Sequence, residues 1–251
     1  MDDATRAELA ARWAYRAGLE HAAAFRFRRL AGRLDASGFD RELVAIATLA
    51  ETQEREHVRL CREIAARFGG APGRDARGRD NTLPREPVVS EVAPGSFGER
   101  DRVIYEVVAF CCVTETANAV VVTAGADDID DTAIRRAVRT ILADEVQHSR
   151  LGWRFLATHP PDDTQLGWLG AYLPDMLAGT IREDLFRPQV VLGDEITMQR
   201  FGTLPVAGRR EAFVTGMREV LLPGLAAIGV DTAPAAALLD RLDAERVKLD
   251  A

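Results

Sequence analysis

Apolar residues recur every three or four positions over four long stretches, the period of a helix with one buried face. Between about Ala4 and Leu34 that face is Leu9, Trp13, Glu20, Ala24, Phe27, Ala31 and Leu34. Ser37-Gly38 breaks the pattern. A second helix is predicted from about Asp40, a candidate N-cap, to Phe68, where Gly69-Gly70 stops it. Its face is Leu43, Ala47, Ala50, Glu54, His57, Cys61, Ala65 and Phe68. A third helix, from about Glu99 to Gly125, carries Ile104, Val108, Cys111, Glu115, Ala119 and Val122. A fourth, from about Thr132 to Thr158, carries Ile134, Val138, Ile141, Glu145, His148, Gly152 and Leu156, and His159-Pro160-Pro161 ends it.

The turns joining the first helix to the second and the third to the fourth are short, so each pair reads as an antiparallel hairpin. The stretch from about 69 to 98 holds Pro72, Pro84, Pro87 and Pro94 and reads as a loop. Thirty extended residues at roughly 3.3 Å each can run the length of a bundle. The expected architecture is therefore all-α: a four-helix bundle over residues 1–160 with one long crossover at about 69–98. Residues 161–251 form a C-terminal helical extension, with helices from about Gln165 to Leu185 (Pro174 a kink), Thr203 to Leu222 and Ala233 to Leu249.

Polar residues interrupt the apolar faces in a repeated way. The second helix carries Glu54-Arg55-Glu56-His57 and the fourth Glu145-Val146-Gln147-His148, each a Glu-x-x-His. Residues three apart lie on one side of a helix, so both side chains can reach one metal ion. Each motif is preceded, one helix earlier, by a glutamate on the apolar face: Glu20 and Glu115. Four carboxylates and two neutral imidazoles balance two divalent ions, whereas without metal the carboxylates would repel one another in an apolar core. Only four histidines exist, and two of them sit in these motifs.

The neighbours read differently. Arg16 is a candidate partner for Glu20; Glu51 competes weakly with Glu54; Glu56 points to solvent. His21 is one position off the Glu20 face, and His159 marks a helix terminus. Asp144 is placed to accept a hydrogen bond from the far nitrogen of His57, and Gln53 to serve His148 through its carbonyl. Asn118, near Glu115, could orient a bound group. Cys61, Cys111 and Cys112 lack zinc spacing and read as reduced, packed thiols.

Composition narrows the classes. The net charge of −7 argues against a nucleic-acid partner. No uninterrupted run of about 18 apolar residues is present, so no membrane partner is expected. The charged N-terminus lacks the apolar core of a secretory signal, so a cytoplasmic location is expected.

Glu20, Glu54-x-x-His57, Glu115 and Asp144-Glu145-x-x-His148, spread over about residues 4 to 158, resemble the ferritin-like superfamily of dimetal-carboxylate proteins. Leu19-Glu20-His21-Ala22 and the stretch Asp144 to Trp153 are similar to bacterial ferritin-like domain proteins. The resemblance implies ligand roles for the six residues, two iron ions (alternatively manganese or a mixed pair), and activation of O2 to oxidise a small organic substrate. An electron donor and a homodimer would fit the same picture. Ferroxidase or other metal handling, or a manganese-catalase-like peroxide defence, would use the same ligands. Three departures matter. Ile141 stands where the p-aminobenzoate N-oxygenase type has an extra histidine, Gln53 replaces an aspartate often found there, and the C-terminal extension disfavours a plain storage cage. Room for O2 and a substrate is expected beside Ala24, Ala119, Ser149 and Gly152.

Overall fold

The computed structural model describes residues 1–70, 83, 84, 87, 90–180, 185–189 and 191–250. Among these the chain is all-helical, with no strand. Its helices are α1 (Asp3–Ala36), α2 (Arg41–Arg67), α3 (Glu99–Ala126), α4 (Thr132–Thr158), α5 (Asp163–Thr180), α6 (Glu195–Gln199), α7 (206–227) and α8 (Ala233–Leu249). The crossover expected at 69–98 lies in large part outside the described residues, as do positions 181–184 at the end of the helix expected to reach Leu185. The short helix α6 carries no strong periodicity and was not foreseen, and α7 starts and ends later than its pattern suggested.

The chain divides into two compact units. The first comprises Met1–Glu91, Gly125–Asp144 and Val190–Pro205. Its frame is the α1–α2 hairpin. Phe39 N–H donates to Leu34 O and Gly38 N–H to Asp35 O, both at 3.0 Å, the pair of bonds that closes a helix whose next residue is left-handed. Gly38 has φ +73°, which glycine adopts without a Cβ penalty. Asp40 holds the N-cap position of α2, but its side chain makes no capping hydrogen bond. Every residue of the apolar faces read from the sequence of α1 and α2 is buried. Trp13 is pinned by its Nε1–H to Phe201 O at 3.1 Å.

The second unit comprises Val92–Ala124, Glu145–Gln189 and Val206–Ala251. Its central helix α3 contains a π-helical stretch at Val107–Thr114. Thr114 Oγ1–H donates to Ala109 O five residues back, at 3.0 Å, and shares a 2.9 Å hydrogen bond with Thr180 Oγ1 of α5. Phe97, Tyr105, Trp168 and Tyr172 pack ring against ring between the start of α3 and α5. Buried Arg210 of α7 donates to Leu185 O and Arg187 O and pairs with Asp250, tying the residue that follows α8 to the segment after α5. Pro174 lies inside α5.

Helix α3 is long and apolar enough to cross a membrane, because Thr and Asn positions interrupt its apolar run without making it polar. Yet 56% of its most apolar window is buried within the protein, and it carries the buried carboxylates Glu106 and Glu115. Both features are those of a core helix.

Helix α4 starts on Asp131, whose carboxylate accepts from Ala133 N–H (2.9 Å) and Ile134 N–H (3.0 Å) and pairs with Arg67 near the end of α2. The Arg67 guanidinium, and after it the Ile134 amide, hold this carboxyl down from the ordinary 3.8 to about 2. Asp131→Ala is expected to cost about 1 kcal/mol of unfolding free energy, the usual worth of an N-cap. Because the folded pKa is depressed, the charge-dependent part of that difference is present above the unfolded value and fades as pH falls from about 4 to about 2. Urea titrations of wild type and Asp131→Asn across that range check the window.

Candidate metal centre

The first unit brings together Glu20 of α1 and Glu54 and His57 of α2. All three are buried, at 4%, 0% and 0% exposure, and each offers a ligand atom within 4.8 Å of the others. The i, i+3 spacing puts Glu54 and His57 on the inner side of α2, where His57 Nδ1 lies 3.3 Å from Glu54 Oε2. The far nitrogen is accounted for: His57 Nε2–H donates to Asp144 Oδ2 at 3.0 Å. That fixes the ring orientation and leaves Nδ1 as the nitrogen whose lone pair faces the carboxylates. Gln53, expected to serve His148 through its carbonyl, gives its amide N–H to Asp144 Oδ1 at 2.7 Å, so both oxygens of Asp144 are engaged. Glu20 Oε1 accepts from Arg16 Nε–H at 2.8 Å.

The second unit brings together Glu115 of α3 and Glu145 and His148 of α4. They are 0%, 0% and 1% exposed, again with ligand atoms within 4.8 Å of one another. His148 Nδ1 lies 3.7 Å from Glu145 Oε2. Asn118 Nδ2–H approaches Glu115 Oε2 at 3.4 Å, a long contact within one helical turn. The residues next to the trio, Thr116 and Ser149, share a buried 2.8 Å hydrogen bond that joins α3 to α4 beside Glu115 and His148. The π-helical stretch ends at Thr114, immediately before Glu115, and such insertions are frequent at functional positions.

Each trio is two carboxylates and one imidazole, hard oxygen donors with a borderline nitrogen. That set fits a divalent iron, manganese or zinc ion, and its two negative charges match one such ion. The competing acids are otherwise occupied. Burial pushes the Glu51 pKa up, but hydrogen bonds from Arg55 and Arg28 more than offset it and leave the carboxyl below its usual range. Glu56 is solvent-facing and paired with Arg59. His21 is hydrogen-bonded to Pro84 O at 2.7 Å and packs edge-on against Phe25, and His159 packs against Phe155 at the end of α4.

The three thiols are free and buried. Burial raises the pKa of Cys112, and burial followed by Cys112, Glu115 and Glu106 raises that of Cys111, so neither is a ready thiolate ligand. Sequence reasoning missed Glu106, buried at 1% on α3, because it lies off the helical face shared by Ile104, Val108 and Cys111. The space expected at Gly152 is not open. A Cβ there would stand 2.5 Å from Cys112 Sγ and 3.0 Å from Cys111 Cβ, so the missing side chain is what lets α3 and α4 approach.

No protein-family model, no curated protein and no solved structure matches this chain.

If Asp144 orients His57 toward an ion, Asp144→Ala should weaken Co2+ binding about 10–100-fold, the usual effect of losing an outer partner of a ligating histidine. Competition against a chromophoric chelator measures this, with circular dichroism to verify the helices; equal affinity would remove Asp144 from the site.

Proposed function

We propose that the six side chains Glu20, Glu54, His57, Glu115, Glu145 and His148 act as one centre for two metal ions in a ferritin-like four-helix arrangement. The chain is then a non-haem dimetal, most simply diiron, oxidase or oxygenase that uses O2 to oxidise a small organic molecule. The observation that carries this reading is the duplication: the same buried Glu plus Glu-x-x-His trio occurs once in each unit. Carboxylate–imidazole sets of this kind on facing helices are the dimetal pattern of helical bundles.

When bound, a redox-active ion pair supplies the one-electron and O2 chemistry that side chains lack. The protein's own part is more specific. Glu54 and His57 lock into place through their helical spacing, and Asp144 holds the imidazole with its Nε2 proton outward. Ala24 and Phe27 on the Glu20 face of α1, and Ala47 and Ala50 on the Glu54 face of α2, are buried, as an ion site shielded from bulk water would need. The Thr116–Ser149 bond fixes the level of α3 against α4 beside the second. The reading expects a cytoplasmic enzyme with an external electron donor, a homodimeric assembly, and no nucleic-acid or membrane partner.

A second reading is favoured by one observation, the filling of the Gly152 surface by Cys111 and Cys112. Close packing there suits a reactant as small as peroxide or ferrous iron, as in a manganese-catalase-like or ferroxidase activity. Metal analysis of the purified protein should give two ions per chain, and anaerobically reduced protein mixed with O2 should develop a transient visible absorption. Manganese with rapid peroxide disproportionation would instead select the second reading. Absence of bound metal, with Glu20→Ala and His57→Ala as stable and as metal-poor as wild type, would overturn both.

A further inference from the structure

We propose that Arg16 is a positioning residue that restricts Glu20 to ligation through one oxygen, and that its charge weakens the hold of the first trio on its ion. The inference rests on the metal-centre reading above. Arg16 Nε–H donates to Glu20 Oε1 at 2.8 Å; the carboxylate is buried at 5% side-chain exposure, while Arg16 reaches toward solvent at 24%. A charge-assisted bond of this length commits that oxygen and fixes the plane of the carboxylate. Glu20 offers a carboxylate oxygen within 4.8 Å of ligand atoms of Glu54 and His57, so an ion there would be shared by all three.

Helix propensity does not explain the pair. With the cation four residues before the anion, it has the less favourable order for a helix-surface ion pair. What holds Arg16 is its surroundings. Its guanidinium lies 6.0 Å from the centroid of the Trp13 ring, and Trp13 is itself fixed by its bond to Phe201 O. The guanidinium therefore stands on a rigid base at the solvent-facing side of Glu20. A fixed positive charge a few ångströms from a divalent ion opposes binding, and the low dielectric of the interior strengthens the opposition. Arginine suits this place better than lysine, since its planar fork retains direction as well as charge.

The test is Co2+ titration of the full chain, wild type against Arg16→Gln, Arg16→Met and Arg16→Lys, followed by visible absorption. Loss of the charge in Arg16→Gln should tighten Co2+ binding at the first trio about 10-fold, by the Coulomb scaling for charges near a protein surface. As Glu20 closes on the ion through both oxygens, the coordination number rises and the absorption per bound Co2+ falls. Arg16→Lys should restore most of the wild-type affinity but not the full wild-type spectrum. Arg16→Met keeps the apolar stem against Trp13 and should behave as Arg16→Gln does, which holds the test if the glutamine variant folds poorly. Wild-type affinity and spectrum in both Arg16→Gln and Arg16→Met would overturn the role of Arg16 while leaving the metal centre standing. Failure of wild type to bind Co2+ at all would overturn the metal centre, and this inference with it.

Discussion

A carboxylate taken out of water into an apolar core costs several kcal/mol unless an opposite charge or hydrogen bonds compensate it. Here four glutamates and two histidines are carried to 4% exposure or less on helices otherwise lined by alanine, valine, isoleucine and leucine. No packing advantage explains them, since Leu at any of these positions would bury apolar surface at no charge cost. Their burial constrains everything around them. The two Glu-x-x-His motifs need unbroken helix so that residues three apart share a side. The flanking helices need a glutamate at a matching level, and the histidines need partners that fix their rings. In each unit two carboxylates meet one imidazole, the charge that a single divalent ion cancels.

Most of the long helices were legible because the signals agreed. Helix α4 has the bounds its periodicity predicts, with Asp131 as its side-chain cap, and α8 likewise runs from Ala233 to Leu249. The buried faces of α1, α2 and α4 contain each residue that the spacing placed there. The Glu-x-x-His sites were legible for the same reason, being polar residues on faces that periodicity marks as apolar. Less was visible where structure depends on contacts distant in sequence. Short α6 is set by Asp194, which caps it and donates its backbone N–H to Thr5 Oγ1 in α1, and no local pattern announces that. The burial of Arg210 likewise follows from carbonyls 23 and 25 residues away and from Asp250.

Helix α3 shows best where periodicity fails. Val107 to Thr114 is almost wholly apolar, so a change from α to π geometry leaves no trace in its hydrophobic pattern. The wider turn changes which residues align. Glu106 precedes Cys111 by five residues, the spacing of a π-helical turn, and Glu115 follows Cys111 by one α-helical turn. Gly152 was read as room for a reactant, yet it is a contact: its missing Cβ is what admits Cys111 and Cys112. A glycine on a buried helical face has both meanings in a sequence, and only the neighbouring helix decides between them.

Helix α4 shows how little sequence separates a candidate ligand from a supporting carboxylate. Asp144 accepts the proton-bearing nitrogen of His57, and Glu145, the next residue, belongs to the second trio. Successive helical residues project about 100° apart, so one helix can offer a supporting carboxylate in one direction and a candidate ligand in another. A one-residue slip of α4 would place Asp144, whose side chain is one methylene shorter, where Glu145 stands, and Ala143 where Asp144 stands. The Asp131 cap at one end of α4 and the close contact at Gly152 toward the other oppose such a slip. The register of α4 is therefore set by features that touch neither carboxylate, and the placing of both carboxylates depends on them.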